Sequence, residues 1–450
     1  MQDQSLASRV VGHHIFAERE SQYIRWYPKT LTAVAGVAPI TRQDSRFAGI
    51  YIHVPFCDQL CGFCPFNKIE SRNDLIDLFL CALEKEIISY GKLLGRRDLR
   101  FVYLGGGTPS SLKPSQIERI LSLIDYHLGG LSGAEITLES HPLHLKPDYA
   151  RGVRLAGVNR ISSGIQSLDE STLRRIGAYH SQEHAIAAIQ TSVSEFDSVA
   201  IDLLFRCRGQ TVADWESQVA AVGNLIGVDH VSCYSLVLKN DAEQPSAATD
   251  AQMAVVAGDV LASYGFEHYA SCASSGMDFA RNGRKSVYEE LHWKAPQVEF
   301  LGLGPGALGF VGGVVTINGL SVPRYAAAIN RGFLPLVSAT RVSKDEMMRR
   351  YFVLGVKTFF VELRPFCELF DEDPEKIFKD EIQLLERDGL AFVENDLLTL
   401  TTVGRLFVDC VSSRFFSKEE RNVPHPEEPE IRRIELTAQR LLDGLGARRA

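Results

Sequence analysis

The chain has 450 residues, which is long for one domain, since domains usually span about 100–200 residues. Apolar residues make up 45% and charged residues 23% of the sequence, so the chain can bury a large core and is not globally disordered. Lysine and arginine total 48 against 56 aspartate and glutamate, and the net charge of -8 argues against broad binding to nucleic acids or anionic membranes.

The sequence shows neither a signal peptide nor a convincing membrane helix. Residues 1–20 are polar and charged throughout, without the apolar run of a signal peptide. Residues 300–323 lack charge over a length that could cross a bilayer, but Pro305 and frequent glycines would make a lone helix costly there. We therefore expect buried strands and loops in this segment, no membrane span, and a cytoplasmic protein.

The cysteines divide into one tight group and a scattered remainder. Nine cysteines in a long chain without a secretion signal do not indicate a disulfide framework. Three of them, Cys57, Cys61 and Cys64, stand together in CDQLCGFC. The others are predicted to be mostly buried small apolar residues: Cys81, Cys207, Cys233, Cys272, Cys367 and Cys410.

Short apolar runs alternate with amphipathic stretches from about residue 49 onward. The predicted strands are residues 49–54, 100–104, 135–139, 160–166, 199–205 and 230–236. Helical patterns such as residues 75–94 and 114–128 lie between them. This alternation predicts an α/β fold in which parallel strands and helices form a closed or partial barrel, with ligands at the carboxyl ends of the strands.

The predicted domain organisation places this barrel at residues 49–334. Residues 1–48 form an N-terminal extension, whose Tyr23, Trp26 and Tyr27 either cover a flat substrate or, as we expect, pack against the outside of the barrel. Residues 335–417 combine helices with a turn and a short strand pair, and indicate a small, helical, winged-helix-like domain. Residues 418–450 form a charged tail, read as a solvated linker and a short helix.

The cysteine triplet has the composition of a metal site. A structural zinc site needs four ligands, so a fourth residue such as His53 would have to complete it. An iron–sulfur cubane held by three thiolates instead leaves one iron open for an exogenous ligand. The spacing therefore favours a [4Fe–4S] cluster on Cys57, Cys61 and Cys64, with zinc as the alternative.

Two segments of the sequence resemble the radical S-adenosylmethionine (SAM) superfamily and, within it, the HemN-like group. They are YIHVPFCDQLCGFCPFN, which contains the cysteine triplet, and GGGTPS, residues 105–110. The similarity continues through GVNRISSGIQSLDESTLRRIG, IDLLFRCRGQTVADW and FLGLGPGALGFVGG to DGLAFVENDLLTLTTVGRLF, covering about residues 49–416. The group includes oxygen-independent coproporphyrinogen III oxidase, the haem chaperone HemW, anaerobic haem-degrading methyltransferases, and class C radical SAM methylases and cyclopropanases. The resemblance implies a partial barrel of the radical SAM type.

The resemblance also implies a chemistry and a first set of site residues. The open iron would bind the methionine part of SAM, and one electron from the cluster would cleave SAM to a 5′-deoxyadenosyl radical. Tyr51, Gly106 and Glu139 correspond to contacts of this SAM, and Gly105–Gly107 would let the backbone approach it. Each has a plainer interpretation as a strand residue, a turn or a solvent-facing charge.

HemN-like proteins bind a second SAM as well. Its contacts match Phe63, Gly107, Thr108, Gln166 and Asp202. A barrel places functional groups at strand ends, where Gln166 and Asp202 are predicted, although a structural hydrogen bond explains either one equally well. Leu308, which follows Gly306 and Ala307, completes the cofactor-binding candidates.

The chain departs from the family at several positions. Coproporphyrinogen oxidases carry a fourth cysteine where this chain has Phe66. HemW-like chaperones carry an H-N-x-x-Y-W pattern where residues 288–293 read YEELHW, and a histidine in place of Leu308. The arginine that the family places near the second SAM corresponds to Ala178, with Arg174 or Arg175 as possible substitutes.

These features together predict a radical SAM enzyme of the class C type, a methyltransferase or cyclopropanase that uses a [4Fe–4S] cluster and two SAM molecules. The second SAM would donate a methyl or methylene group to an sp² carbon of a planar or unsaturated small molecule. The alternatives are a HemW-like haem carrier and a tetrapyrrole-modifying enzyme, either coproporphyrinogen oxidase or haem-degrading methyltransferase. The expected partners are the small-molecule substrate and an external electron donor of the flavodoxin or ferredoxin type.

Overall fold

The computed structural model describes residues 5–19, 24, 26–34, 40, 47–236, 244–271 and 276–447. Tyr23 and Cys272 lie outside these residues. The strands are β1 (Phe47–Val54), β2 (Phe56–Cys57), β3 (Ile69–Glu70), β4 (Phe101–Gly106), β5 (Glu135–Ser140), β6 (Arg160–Gln166), β7 (Ser198–Phe205), β8 (His230–Ser235), β9 (Glu267–Ala270), β10 (Met277–Ala280), β11 (Glu299–Leu303), β12 (Leu308–Val311), β13 (Val314–Asn318), β14 (Leu336–Arg341), β15 (Phe360–Glu362), β16 (Ala391–Glu394) and β17 (Leu397–Leu400).

Helices follow most of the strands in the first half of the chain and make up much of the C-terminal part. They are α1 (Leu6–Val11), α2 (Asn73–Leu94), α3 (Pro114–His127), α4 (Pro147–Leu155), α5 (Glu170–Ile176), α6 (Gln182–Glu195), α7 (Val212–Gly223), α8 (Ala247–Ser263), α9 (Val287–His292), α10 (Val322–Asn330), α11 (Lys344–Gly355), α12 (Leu363–Phe370), α13 (Pro374–Ile377), α14 (Lys379–Arg387), α15 (Thr402–Arg405), α16 (Val408–Arg414), α17 (Lys418–Arg421) and α18 (Glu428–Ala447).

One large sheet organises the first part of the described chain. Its strand order is β14-β13-β12-β11-β1-β4-β5-β6-β7-β8-β10-β9. From β11 through β1, β4, β5, β6 and β7 to β8, each strand pairs in parallel with the next. The strands beyond β11 and β8 pair antiparallel. Because β14 and β9 do not pair with each other in this part of the chain, the sheet is a partial barrel, and the predicted α/β fold is confirmed.

The two faces of the strands have different surroundings. In β1, Ile50 and Ile52 pack into the same core as α2, whereas Tyr51 belongs to the aromatic group on the other face. The buried side chains of α2 recur three and four residues apart, including Ile76, Phe79 and Leu83. Burying each such side chain stabilises the fold by about 1.5–3 kcal/mol. This packing leaves alternate strand residues facing the barrel interior.

Residues 300–323 fold as strand and loop, as the sequence predicts. They contain most of β11, all of β12 and β13, and the start of α10. Gly312 and Gly313, with φ of 58° and 71°, form the turn between β12 and β13, which suits a two-residue hairpin. Within the described ranges, no helix is long and apolar enough to cross a bilayer.

The C-terminal region has the small winged-helix-like form that the sequence predicts. Strands β15, β17 and β16 form a separate sheet beside α11 to α16. Asn395 and Asp396 have φ of 52° and 61° and close the β16–β17 hairpin in the left-handed region. Lys357 and Asp409 form a buried ion pair within this region.

The N-terminal aromatic residues pack against the C-terminal region instead of the outside of the barrel. The Tyr27 ring stacks on Phe416 with centroids 5.1 Å apart, and its hydroxyl accepts the Ser417 N–H at 3.0 Å. Trp26 is also buried and meets the His425 ring edge-on. This position satisfies the Tyr27 hydroxyl inside the protein and leaves neither ring on an open surface.

The charged tail forms a longer helix than the short one expected from its composition. In α18, Ala438 and Glu435 are buried, and Glu435 accepts the Ser321 N–H at 3.1 Å and an ion pair from Arg324. Its apolar positions, which include Ile431 and Ala438, recur at helical spacing and give the helix a face to bury. The helix contacts β14 and so packs on the barrel.

Candidate functional site

The three cysteines lie in the loop between β1 and α2, at the carboxyl end of a parallel strand. Cys57 ends β2 and is 6% exposed, while Cys61 and Cys64 are partly exposed. The pairing of β2 with β3 closes the loop, and the Lys68 ammonium donates to the Cys64 carbonyl oxygen. All three thiols are free, so one short, internally bonded segment presents three metal-ligating sulfurs.

The structure argues against zinc with His53 as the fourth ligand. His53 Nε2 lies 2.8 Å from the Asn67 carbonyl oxygen, and Nδ1 lies 3.2 Å from the Tyr51 hydroxyl, so both ring nitrogens have partners. In the described ranges, no three His, Cys, Asp or Glu side chains converge closely enough to hold a single metal ion. Three free cysteines supply the thiolates of a cubane that keeps one iron open, so this donor set fits a [4Fe–4S] cluster.

The protein environment disfavours free thiolates in this loop. Burial raises the pKa of Cys57 to about 11 and also raises the pKa of Cys61. The Thr108 hydroxyl donates to Cys57 Sγ at 3.4 Å and opposes the effect of burial. Because iron binds the thiolate form, cluster assembly must displace these protons.

Gly107 lets β4 approach the segment that leads into the cysteine loop. Its N–H donates to the Val54 carbonyl oxygen at 2.9 Å, and the Thr108 N–H donates to that of Phe56 at 2.7 Å. A Cβ at Gly107 would lie 2.8–2.9 Å from the backbone of residues 54–56. The glycine is therefore required by packing within the protein, which is the plainer of the two interpretations of the motif.

Glu139, near the end of β5, is bound by two groups from β4. The Tyr103 hydroxyl donates to Oε1 at 2.8 Å, and the Gly106 N–H donates to Oε2 at 3.0 Å. A Cβ at Gly105 would lie 2.9 Å from Oε1, so glycine leaves room for this carboxyl. Burial raises the pKa of Glu139. The Tyr51 ring lies 6.0 Å from the Tyr103 ring, so Tyr51, Gly105, Gly106 and Glu139 are brought together.

Two residues matched to the second SAM lie near the carboxyl ends of β6, β7 and β8. Phe63, in the cysteine loop, packs against a small apolar group formed by Leu204 near the end of β7, Cys207 just after β7 and Leu236 just after β8. Gln166 ends β6 beyond an irregularity in its pairing with β7, and has a φ of 64°. A positive φ is strained for a residue with a side chain, and such strain is concentrated at functional sites.

Asp202 lies on β7, where register pairs it with Gly164 and Ser232. Burial raises its pKa to about 8, and the neighbouring charges of Glu139 and Asp278 add to that effect. The carboxyl is therefore largely protonated at neutral pH and can donate a hydrogen bond. Its coupling to Glu139 shows that these two predicted site residues face the same interior.

Other predicted positions have different surroundings. Leu308 begins β12 and packs at the edge of the core that extends into the C-terminal region. Of the two arginines that could replace the one absent at position 178, Arg174 is exposed and pairs with Glu170. Arg175 lies close enough to Cys207 to lower the pKa of its thiol, against the dominant effect of burial. Arg175 is therefore the one beside the apolar group that holds Phe63.

The sequence analysis missed the residues that α9 adds to the barrel interior. The Tyr288 ring lies 4.3 Å from that of Tyr103 and 4.4 Å from that of His292. Burial and the nearby Asp278 raise the pKa of Glu289. Tyr103 could have been found, because it stands two residues before Gly105 and so faces the same side of β4. In the sequence, residues 288–293 stand out only because they depart from the pattern of HemW-like chaperones.

Comparison with known proteins identifies the domain. Residues 51–217 match the sequence model of the radical SAM superfamily. These residues therefore form a radical SAM domain. The haem chaperone HemW of Bacillus subtilis is 28% identical over 382 residues, which cover 82% of this chain and 99% of HemW. The oxygen-independent coproporphyrinogen III oxidase of Escherichia coli is 25% identical over 389 residues, which cover 82% of this chain and 85% of the oxidase.

A solved structure shares the fold of this chain. Coproporphyrinogen III oxidase (HemN) from Escherichia coli superposes with a TM-score of 0.73 and 24% identity, over 83% of this chain and 91% of that one. The superfamily uses a [4Fe–4S] cluster and SAM, which are therefore the cofactors of this protein. The similarity to HemW and to HemN favours the alternatives named from the sequence, which are a haem carrier and a tetrapyrrole-modifying enzyme. These comparisons do not support the narrower assignment to the class C methylases or cyclopropanases.

Proposed function

We propose that this radical SAM protein cleaves SAM in order to modify a tetrapyrrole, either haem or a haem precursor. In this proposal Cys57, Cys61 and Cys64 hold the cluster, and the bound cluster supplies the electron for cleavage. Relatives named for haem and for coproporphyrinogen support the class of substrate. The three free thiols in the loop between β1 and α2 support the ligand assignment.

The observation that carries the proposal is the carboxyl of Glu139, fixed by Tyr103 at 2.8 Å and by the Gly106 N–H at 3.0 Å. A carboxyl held this way, on the second strand from β1, which leads into the cysteine loop, can accept hydrogen bonds from SAM without having to reorganise. The rings of Tyr51, Tyr103 and Tyr288 lie 4.3–6.0 Å apart and offer flat apolar surfaces that exclude water.

Several replacements distinguish this chain from both kinds of named relative. Phe66 replaces the fourth cysteine of the oxidases, and Leu308 replaces the histidine of HemW-like chaperones. Tyr288 and Glu289 stand where those chaperones carry histidine and asparagine. These replacements keep an aromatic and acidic interior but remove the histidines at positions 288 and 308, which favours turnover of the tetrapyrrole over its storage.

The test is SAM cleavage in the presence of a tetrapyrrole. The reconstituted protein is reduced with dithionite under anaerobic conditions and given SAM with haem or with coproporphyrinogen III. We expect 5′-deoxyadenosine and a tetrapyrrole of changed mass. Glu139→Gln should reduce both products, whereas Glu118→Gln, on the exposed face of α3, should not. If neither tetrapyrrole changes mass or stimulates cleavage, the proposal is wrong.

A haem carrier is the second candidate, because the similarity to HemW extends over 99% of that relative. Titration with haem separates the two functions. Stoichiometric haem binding without SAM cleavage would favour a carrier and contradict the enzyme proposal.

Methyl transfer is tested by the same assay. Phe63, Thr108, Gln166 and Asp202 are the residues we propose around a second SAM. Formation of S-adenosylhomocysteine alongside 5′-deoxyadenosine would support a methyl-donating second SAM. Formation of 5′-deoxyadenosine alone would exclude it. The external electron donor, expected to be of the flavodoxin or ferredoxin type, is replaced by dithionite in these assays.

A further inference from the structure

Hydrogen-bonded side chains join the segment after the glycine triplet to the cysteine loop. Ser110 is buried, and its Oγ lies 2.8 Å from His144 Nδ1. On the other side of the ring, His144 Nε2 lies 2.9 Å from Asp58 Oδ2. Asp58 directly follows Cys57 in the chain, so these contacts end beside the first of the three cluster-ligating cysteines.

The direction of the bonds follows from the carboxylate. Asp58 only accepts, so His144 Nε2 carries a hydrogen and donates it. In the neutral imidazole Nδ1 is then the acceptor, and the Ser110 hydroxyl donates to it. Ser110 Oγ accepts in turn from the His141 backbone N–H at 3.1 Å. Each group has a complementary partner, and these partners fix the orientation of the His144 ring.

The same segment binds Cys57 directly. Thr108, two residues before Ser110, donates from its hydroxyl to Cys57 Sγ at 3.4 Å. Two adjacent residues are thus held, Cys57 by Thr108 and Asp58 by His144. Because His144 lies between β5 and α4, its imidazole connects three of the loops that follow the parallel strands.

We propose that His144 is a positioning residue for the cluster. It holds Asp58 in place, and through Asp58 it holds Cys57, before the cluster is assembled. A free loop loses conformational entropy when it is ordered on assembly, and a loop held beforehand avoids that loss. Outer partners that orient metal ligands commonly change metal affinity by about 10–100-fold. His144 acts through Asp58, because its two ring nitrogens bond Ser110 and Asp58.

The first test uses the apoprotein, where no cluster activity is involved. His144→Leu removes both hydrogen bonds, whereas His144→Gln keeps an amide N–H for Asp58 and an oxygen for Ser110. Labelling with iodoacetamide is followed for each cysteine by peptide mass spectrometry. Loss of one charge-assisted hydrogen bond should speed labelling of Cys57 about tenfold in the leucine variant. The glutamine variant should stay near the wild-type rate.

Internal references separate a local effect from unfolding. Cys81 is exposed and Cys233 is buried, so neither labelling rate should change. His127→Leu on α3 is the matched control. If His144→Leu unfolds the protein, Cys233 becomes reactive. The labelling rate of Cys57 in Asp58→Ala then tests the proposal, because the Asp58 side chain is 59% exposed and its loss should leave the fold intact.

The second test uses the reconstituted holoprotein. Iron loss to an excess of chelator should be about tenfold faster in His144→Leu and Asp58→Ala than in the wild type, and close to wild type in His144→Gln. The proposal is overturned if Cys57 labelling and iron loss are unchanged in both removal variants. It is also overturned if His127→Leu has the same effect, or if His144→Gln behaves like His144→Leu.

Discussion

Replacing Gly107 with alanine tests whether the glycine triplet packs the site as the structure indicates. The new Cβ would lie 2.8 Å from the Phe56 carbonyl oxygen, 2.9 Å from the Pro55 carbonyl carbon and 2.9 Å from the Val54 carbonyl oxygen. All three are backbone atoms, so no side-chain rotation relieves the contact. Overpacking of this kind costs about 1–3 kcal/mol, and we expect Gly107→Ala to lower the free energy of unfolding by about 2 kcal/mol.

Gly62 provides a matched control inside the cysteine motif. It stands between Cys61 and Cys64, yet a Cβ there would meet nothing within 4 Å. We expect Gly62→Ala to change the free energy of unfolding by less than about 0.5 kcal/mol. Urea unfolding of the reduced apoproteins measures the difference, and iron content after reconstitution reports on the loop. A wild-type midpoint for Gly107→Ala, or an equal loss in Gly62→Ala, would refute the packing argument.

Three further predictions concern buried polar groups. Tyr103→Phe removes the 2.8 Å hydrogen bond to Glu139 and should weaken SAM binding to the reconstituted protein about tenfold. Equilibrium dialysis measures the Kd, and an unchanged Kd would contradict the role given to Tyr103 and Glu139. Because burial raises the pKa of Asp202 from 3.8 to about 8, the native state retains a proton that the unfolded state releases, so stability is lost as pH rises between these values. Asp202→Asn should remove that part of the slope in urea midpoints between pH 5 and about 8.5, and parallel slopes would contradict it. Asp409→Asn leaves Lys357 buried without its charged partner and should cost about 3–5 kcal/mol in thermal or urea unfolding, whereas a wild-type midpoint would contradict that cost.

Local patterns in the sequence were enough to predict the main strands and the C-terminal hairpin. The predicted bounds of β6, residues 160–166, match the structure, and the other five predicted strands agree to within two residues at each end. Apolar runs bounded by turn residues carry this information without tertiary contacts. The turn at Asn395 and Asp396 is predictable for the same reason, since these residue types tolerate positive φ.

The interior of the barrel was not predictable, because it depends on contacts between residues far apart in the chain. The position of Tyr288 against Tyr103 requires α9 to enter the barrel, and no local pattern specifies that. The partners of His53 likewise became known only from the folded structure, and they argue against His53 as the fourth ligand of a zinc site. The link from Asp58 to His144 spans 86 residues and left no signal in the spacing of either residue.

The most direct test of the central claim is electron paramagnetic resonance of the anaerobically reconstituted and reduced protein, with and without SAM. The account predicts about four irons per chain and a reduced-cluster spectrum that changes when SAM is added, because one iron is open to an exogenous ligand. The variant with serine at Cys57, Cys61 and Cys64 should hold no cluster. A wild-type protein without a cluster, or a spectrum that SAM leaves unchanged, would contradict the account.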